Sequence, residues 1–447
     1  MRLRAMRRCA LAVIALLAIT LPTSAQRRPT TTEPPIVITG ATVRPGNGPP
    51  IENATVIVRG DRLEAVGAGL AAPAGATVID ATGAVITPGL VATMTALGLE
   101  EIELERASRD TGPEGDDADA IRAAFSAADG YNPLSTLIPV ARLGGITSVT
   151  SVPEGGLVPG TSAWADLLGA SPTVGTDAVL TPVLALHVSL NDEGIDAAGG
   201  ARSSAITRLR ELLDDARLYA RQRTAFDRGD FRDTDVSRLD LERVGEALAG
   251  RIPVVIKVSR AVDIVRTIAL GREYGLRIVL AGVEEGWMVA PQIAAANVPV
   301  IVQAMTNLPE RFSRLHARYD NAALLARAGV RVMLMSPGAW DARNLRQEAG
   351  NAVAWGMDPD AALAAITSLP AEVFGMRDHG VIAAGRRANL VVWSGDPFET
   401  TSAPTHVIVA GRDLPLRSRQ TLLLERYRSL DSVPRGWTGT VARDRSE

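Results

Sequence analysis

Lys257 is the only lysine in a chain of 447 residues, and it closes the apolar run Ile252-Pro-Val-Val-Ile256. An amine at the end of a buried run can act as a base, hold an anion, or condense with a carbonyl. It can equally be a plain cation that pairs with Glu284 or Glu285. Codon usage in a GC-rich genome explains why arginine replaces lysine elsewhere, and the abundant alanine fits the same bias. His187 closes the run Thr181–Leu186 and is the one histidine placed to face a pocket. His316, His379 and His406 are scattered, and no two histidines stand at metal-ligand spacing, so structural roles are expected for each of the four. Gln303, Asn307 and Asn344 follow strand-like runs, where their amides either line a pocket or shape turns. Between Glu100 and Asp119 lie nine carboxylates and two arginines. That segment either binds a cation or is a solvated loop, and the second is the plainer account.

The elements that must position these residues change character along the chain. From Ile36 to Ile86, short β-like runs are separated by Gly, Pro and Asn-Gly turns, as in a small sandwich or open barrel. After Gly89 the rhythm becomes strand then helix. Six apolar runs (146–151, 178–186, 252–256, 277–281, 298–302 and 330–335) read as buried parallel strands. Amphipathic helices are expected at Ile206–Arg223, Ala261–Tyr274 and Asp320–Ala328. Alternation over this length predicts an α/β fold with a TIM-like (β/α)8 barrel at 88–375. Strand patterns return after Gly375, so 36–87 and 376–447 are expected to form one discontinuous β-domain around the barrel. The arginine-rich tail after Arg412 is expected to pack loosely.

Hydrophobic residues make up 46% of the chain and the formal net charge is -3, which describes a folded protein without a nucleic-acid-binding surface. The N-terminus reads as an export signal at 1–25: Arg2, Arg4, Arg7 and Arg8, then the apolar stretch Ala10–Leu21, then Thr23-Ser24-Ala25. The stretch is too short for a stable membrane span, and a proline-rich linker follows at 26–35. The single cysteine, Cys9, falls within this signal. An exported, periplasmic protein free of disulfides is expected, its size allowing a sufficient core.

The segment Ile86-Thr-Pro-Gly-Leu-Val-Ala-Thr-Met-Thr-Ala-Leu-Gly-Leu99 resembles the first barrel strand of the amidohydrolase superfamily, in which Pro-Gly-Leu-Ile-Asp precedes His-x-His. Ile36–Val43, Gly60–Gly67, Ala365–Gly375 and Gly385–Pro397 resemble other parts of the same family, with Asn389 where its members usually have aspartate, and the flavour is closest to its imidazolonepropionase and prolidase-like branch. The resemblance implies a hydrolase of amide-like C–N bonds with a divalent metal, usually zinc, at the barrel mouth. It also implies ligands at positions that here hold Met94, Ala96, Lys257, Gly282 and Ser336, while Ala92 stands where the first motif has aspartate. Thioether and methyl groups do not hold such metals. No metal or other cofactor is therefore expected, and Met94 and Ala96 become pocket-lining residues beside His187, Gln303 and Asn344. Lys257 is the expected catalytic residue, with Asp341, which either replaces the missing aspartate or caps the next helix. The rival expectation is a non-catalytic relative that binds a small molecule or pairs with a metal-competent sister chain.

Overall fold

The computed structural model describes residues 34–113, 119–169, 178–305 and 308–428. The expected export signal, Cys9, Asn307 and the end of the tail lie outside these residues. The chain first lays down β1 (Ile36–Val43), β2 (Ile51–Arg59), β3 (Arg62–Ala68), β4 (Thr77–Asp80) and β5 (Val85–Pro88). Alternation along β1 and β2 buries Ile38, Ala41, Val56 and Val58 in one apolar cluster.

A second set of strands forms the barrel. These are β6 (Leu90–Thr95), β7 (Ile146–Ser151), β8 (Gly160–Asp166), β9 (Val179–Ser189), β10 (Val254–Val258), β11 (Ile278–Gly282), β12 (Val300–Val302) and β13 (Val332–Leu334). They hydrogen-bond in chain order, and a parallel bridge from Thr93 to Met335 joins the last strand to the first. The result is a TIM-like barrel, as the strand–helix alternation predicts. One strand departs from that pattern: β8 runs antiparallel to both β7 and β9. No apolar run marks it, because Gly160-Thr-Ser-Ala-Trp-Ala-Asp166 is built mostly of small and polar residues, although every one is buried. Gly89, in the Pro-Gly turn before β6, is required by close approach: a Cβ there would lie 2.1 Å from Thr147 Oγ1.

Beyond the barrel the chain returns to the first sheet as β14 (Leu390–Trp393), β15 (Pro404–Val409) and β16 (Arg412–Leu414). β14 pairs with β5, so both ends of the chain build one sheet. No helix among the described residues is long and apolar enough to cross a membrane.

Barrel and sheet meet at one buried carboxylate. Asp166, fully buried, accepts hydrogen bonds from Ser148 Oγ (2.8 Å), Arg387 Nε (2.6 Å) and Asn389 Nδ2 (3.0 Å), and faces His379 Nε2 at 3.3 Å. His379 Nδ1 in turn meets Asp378 (3.0 Å), which pairs with Arg62 on β3 (2.7 Å). Burial alone would raise the Asp166 carboxyl, but the hydrogen bond and charge of His379, with Arg387 and Ser148, hold it below the usual carboxylate range. Asn389 occupies the position where the family resemblance has aspartate. Its amide must donate to Asp166, while its Oδ1 accepts from the Ala410 N–H at 2.7 Å.

Replacing Asn389 by aspartate would put a second carboxylate about 3 Å from Asp166. The expected cost at pH 7 is about 3 kcal/mol in urea unfolding, shrinking as the pH is lowered and one of the pair takes up a proton. An unchanged midpoint would refute the clamp. In the native chain the sign is opposite: the lowered Asp166 stabilises the fold above the ordinary carboxylate range, and that contribution fades as pH falls through it.

Candidate functional site

Side chains alternate across each barrel strand, so one register decides what enters the interior. Ala185, Val255, Val279, Ile301 and Met333 pack together in the inner cluster. Two residues nearer the C-terminal ends of their strands, the same face therefore carries His187, Lys257, Ala281, Gln303 and Met335. Pairing agrees: His187 lies opposite Val255, and Lys257 lies opposite Ala281. Three residues singled out from the sequence thus share one face at the mouth end of the barrel.

Lys257 is half-buried, and no described residue forms a hydrogen bond or ion pair with it. The alternative of pairing with a neighbouring acid does not hold, because neither Glu284 nor Glu285 forms an ion pair with Lys257, although Glu284 Oε2 is buried without a hydrogen-bond partner. Glu284 lies 3.6 Å from Arg314, and Glu285 accepts from the Ala261 and His316 backbone N–H groups at 3.0 and 3.1 Å. His187 is 3% exposed, and neither ring nitrogen has a partner. Burial first, and then the charge of Lys257, push its pKa down to about 3, so the ring is neutral at pH 7.

Gln303 reaches a residue that the sequence reading did not single out. Its Nε2 lies 3.4 Å from Glu348 Oε1, and Glu348 Oε2 accepts from the Met305 N–H at 2.7 Å. Glu348 is only 2% exposed, and burial raises its pKa. The signal that could have found it is its place among buried Leu345, Ala349 and Ala352 on the helix Leu345–Ala354. An acid on an apolar stripe needs a partner. Asp341 and Asn344 come together in the turn after β13, where Asn344 Nδ2 donates to Asp341 Oδ1 at 3.2 Å. Asp341 is exposed and makes no helix-capping bond to a backbone N–H. No hydrogen bond joins this pair to Lys257.

Met94 belongs to the inner cluster, but Ala96 packs in the core outside the strands with Leu97 and Ile138, so it does not line the interior. The bulge after Ala92 breaks the alternation and turns it away. The backbone here is strained. Met94 has φ 56° and Val283, after β11, has φ 54°. A β-branched residue in the left-handed region is held only by its surroundings. Val283 N–H donates to Val258 O, and its carbonyl accepts from Asn321 Nδ2 at 3.0 Å.

These residues do not fit a divalent metal. Met94 and Lys257 offer thioether and ammonium, Gly282 offers no side chain, and Ser336 spends its hydroxyl on the Asp341 carbonyl at 2.7 Å. Among the described residues no three His, Cys, Asp or Glu side chains stand together as a ligand set. Four of the six described acids of the 100–119 loop shape it: Glu100 pairs with Arg109, Glu101 accepts from Thr136, Glu105 caps the turn Arg106–Ser108, and Asp119 accepts from the Ile121 N–H. Outside the barrel interior, His316 meets Glu285, His379 joins the Asp166 cluster, and His406 meets Asp413 at 2.8 Å.

Comparison with known proteins gives this site its context. Residues 257–414 match the model of the amidohydrolase family. The fold is shared with an amidohydrolase from Thermotoga maritima MSB8, at TM-score 0.76 and 24% identity, over 86% of this chain and 100% of that one. Over residues 257–414 the chain resembles the amidohydrolase family, and it shares its fold with solved amidohydrolases. A curated relative, the amidohydrolase tasK of Hapsidospora irregularis, is 24% identical over 76% of this chain. The chain spans 37% of the length of that relative. A prolidase complexed with N-methylphosphonate-L-proline shares the fold at TM-score 0.53 and 19% identity, over 85% of this chain and 99% of that one.

A neutral, buried His187 makes a clear NMR expectation: its ring carbons keep neutral-form shifts from pH 8 down to about pH 4. Because the folded pKa lies below the unfolded value of about 6.5, the unfolded chain takes the proton first. Stability therefore drops as pH falls from about 6.5 towards 3, and His187→Leu is expected to flatten that slope. A His187 ring that titrates near pH 6.5 would contradict the burial described here.

Proposed function

We propose that this protein receives a small amide-like molecule bearing a carboxylate at the mouth of its barrel, and does so without the divalent metal chemistry of its relatives. The observation that carries the reading is Lys257. It is a cation on the inner face without a counter-charge from described residues, beside a neutral imidazole and the amide of Gln303. A half-buried ammonium is stabilised by an anion, and a bound carboxylate supplies one. His187 and Gln303 offer hydrogen bonds to the amide group of the same molecule. Met94 and Met335 give apolar walls. Asp341 and Asn344 stand at the rim rather than at the reacting group. The basic, apolar start of the sequence favours an exported, periplasmic setting.

A second reading follows from the family resemblance: hydrolysis of a C–N bond by a metal held elsewhere in the molecule. Elemental analysis after dialysis separates the two. The expected content of Zn, Mn, Fe, Co and Ni is under about a tenth of an equivalent, and stoichiometric metal would overturn the proposal. N-acetyl-L-proline, an amide with a free carboxylate, is the first calorimetric probe. Lys257→Ala is expected to weaken its binding by about tenfold or more while the thermal midpoint stays within a few degrees. Equal affinity in that variant would remove Lys257 from the site.

A further inference from the structure

The opposite end of the barrel holds a cleft of about 520 Å³, lined in part by Pro253, Pro299, Arg272, Arg277, Arg331 and Glu372. It lies at the N-terminal ends of β10 to β13, the far side from Lys257. Its volume falls within the range of small-molecule sites. Its charge is unbalanced, with three guanidinium groups against one carboxylate.

The arginines are only partly committed. Arg331 Nη1 lies 3.5 Å from Glu372, and its Nη2 donates to the Asn297 carbonyl at 3.2 Å. Its Nε is buried with no partner. Arg277 donates one bond to the Gly250 carbonyl at 3.1 Å and pairs with no described carboxylate. Arg272, exposed in the last turn of the helix Ala261–Tyr274, offsets the negative end of that helix and makes no hydrogen bond or ion pair with described residues. Two of the three cations are thus left without a carboxylate, on walls held by rigid strands and a helix end. Guanidinium forks match carboxylate and phosphate oxygens in pairs.

We infer that this cleft is a second binding site, for a small organic polyanion carrying two or more carboxylate or phosphate groups. The site is independent of the mouth and of the reading given for Lys257.

Calorimetry with pyrophosphate and with citrate tests it on the purified protein, with acetate as a single-charge control. One site per chain is expected for a polyanion and none for acetate. Stronger binding of pyrophosphate points to a phosphate-bearing ligand, and stronger binding of citrate points to a polycarboxylate. The double variant Arg272→Gln/Arg277→Gln, made at exposed positions, is expected to lose about tenfold or more in affinity with its thermal midpoint kept. Lys257→Ala is expected to bind the same polyanion as the native chain does. Absence of binding, equal affinity in the double variant, or loss of binding in Lys257→Ala would each overturn the inference, the last by moving the anion to the mouth.

Discussion

A carboxylate with no access to water is tolerable only when enough donors replace the lost hydration, and Asp166 imposes that demand at the junction of the two sheets. Ser148 and the rest of β7 supply one donor from the barrel, while Arg387, Asn389 and His379 supply the others from the returning chain. Ser148 is the register partner of Asp166 on the neighbouring strand, but the other three donors lie more than two hundred residues away. The cluster is therefore satisfied only when the barrel, the return segment and the first sheet are all in place, and it rewards the complete fold over any part of it.

The interior follows a different rule. Strand alternation brings Lys257, His187 and Gln303 onto one face whatever their chemistry, so the backbone of the barrel mouth orients a cation, a neutral ring and an amide. The backbone is strained at Met94 and Val283, where the side chains are apolar. The hydrogen bonds around Val283, from Asn321 and to Val258, hold its conformation.

Much of this was legible before the structure. Apolar runs at strand spacing revealed six of the eight barrel strands, because buried parallel strands are apolar on both faces, and the resemblance at Ile86–Leu99 marked β6. β8 escaped because its burial depends on tight packing of small residues around Trp164, which leaves no hydrophobic run. Lys257 and His187 stood out because each ends such a run, where a barrel strand opens to its mouth. Ala96 was misplaced because a bulge is invisible in a pattern of two. Glu348 was missed since its partners, Gln303 and the Met305 N–H, lie more than forty residues away. Asn389 was visible only as a departure from a familiar motif, and its reason became plain when Asp166 was found 3.0 Å away.

The solitary lysine has one more consequence. Every other basic side chain that carries a fixed charge is a guanidinium, and the 46 arginines offer no primary amine. Reagents, sugars and reactive aldehydes that attack amines therefore find, apart from the chain terminus, a single target, and it lies inside the barrel. Apart from the chain terminus, amine chemistry meets this molecule only at Lys257, and an isotope or fluorophore placed on that side chain observes the barrel interior.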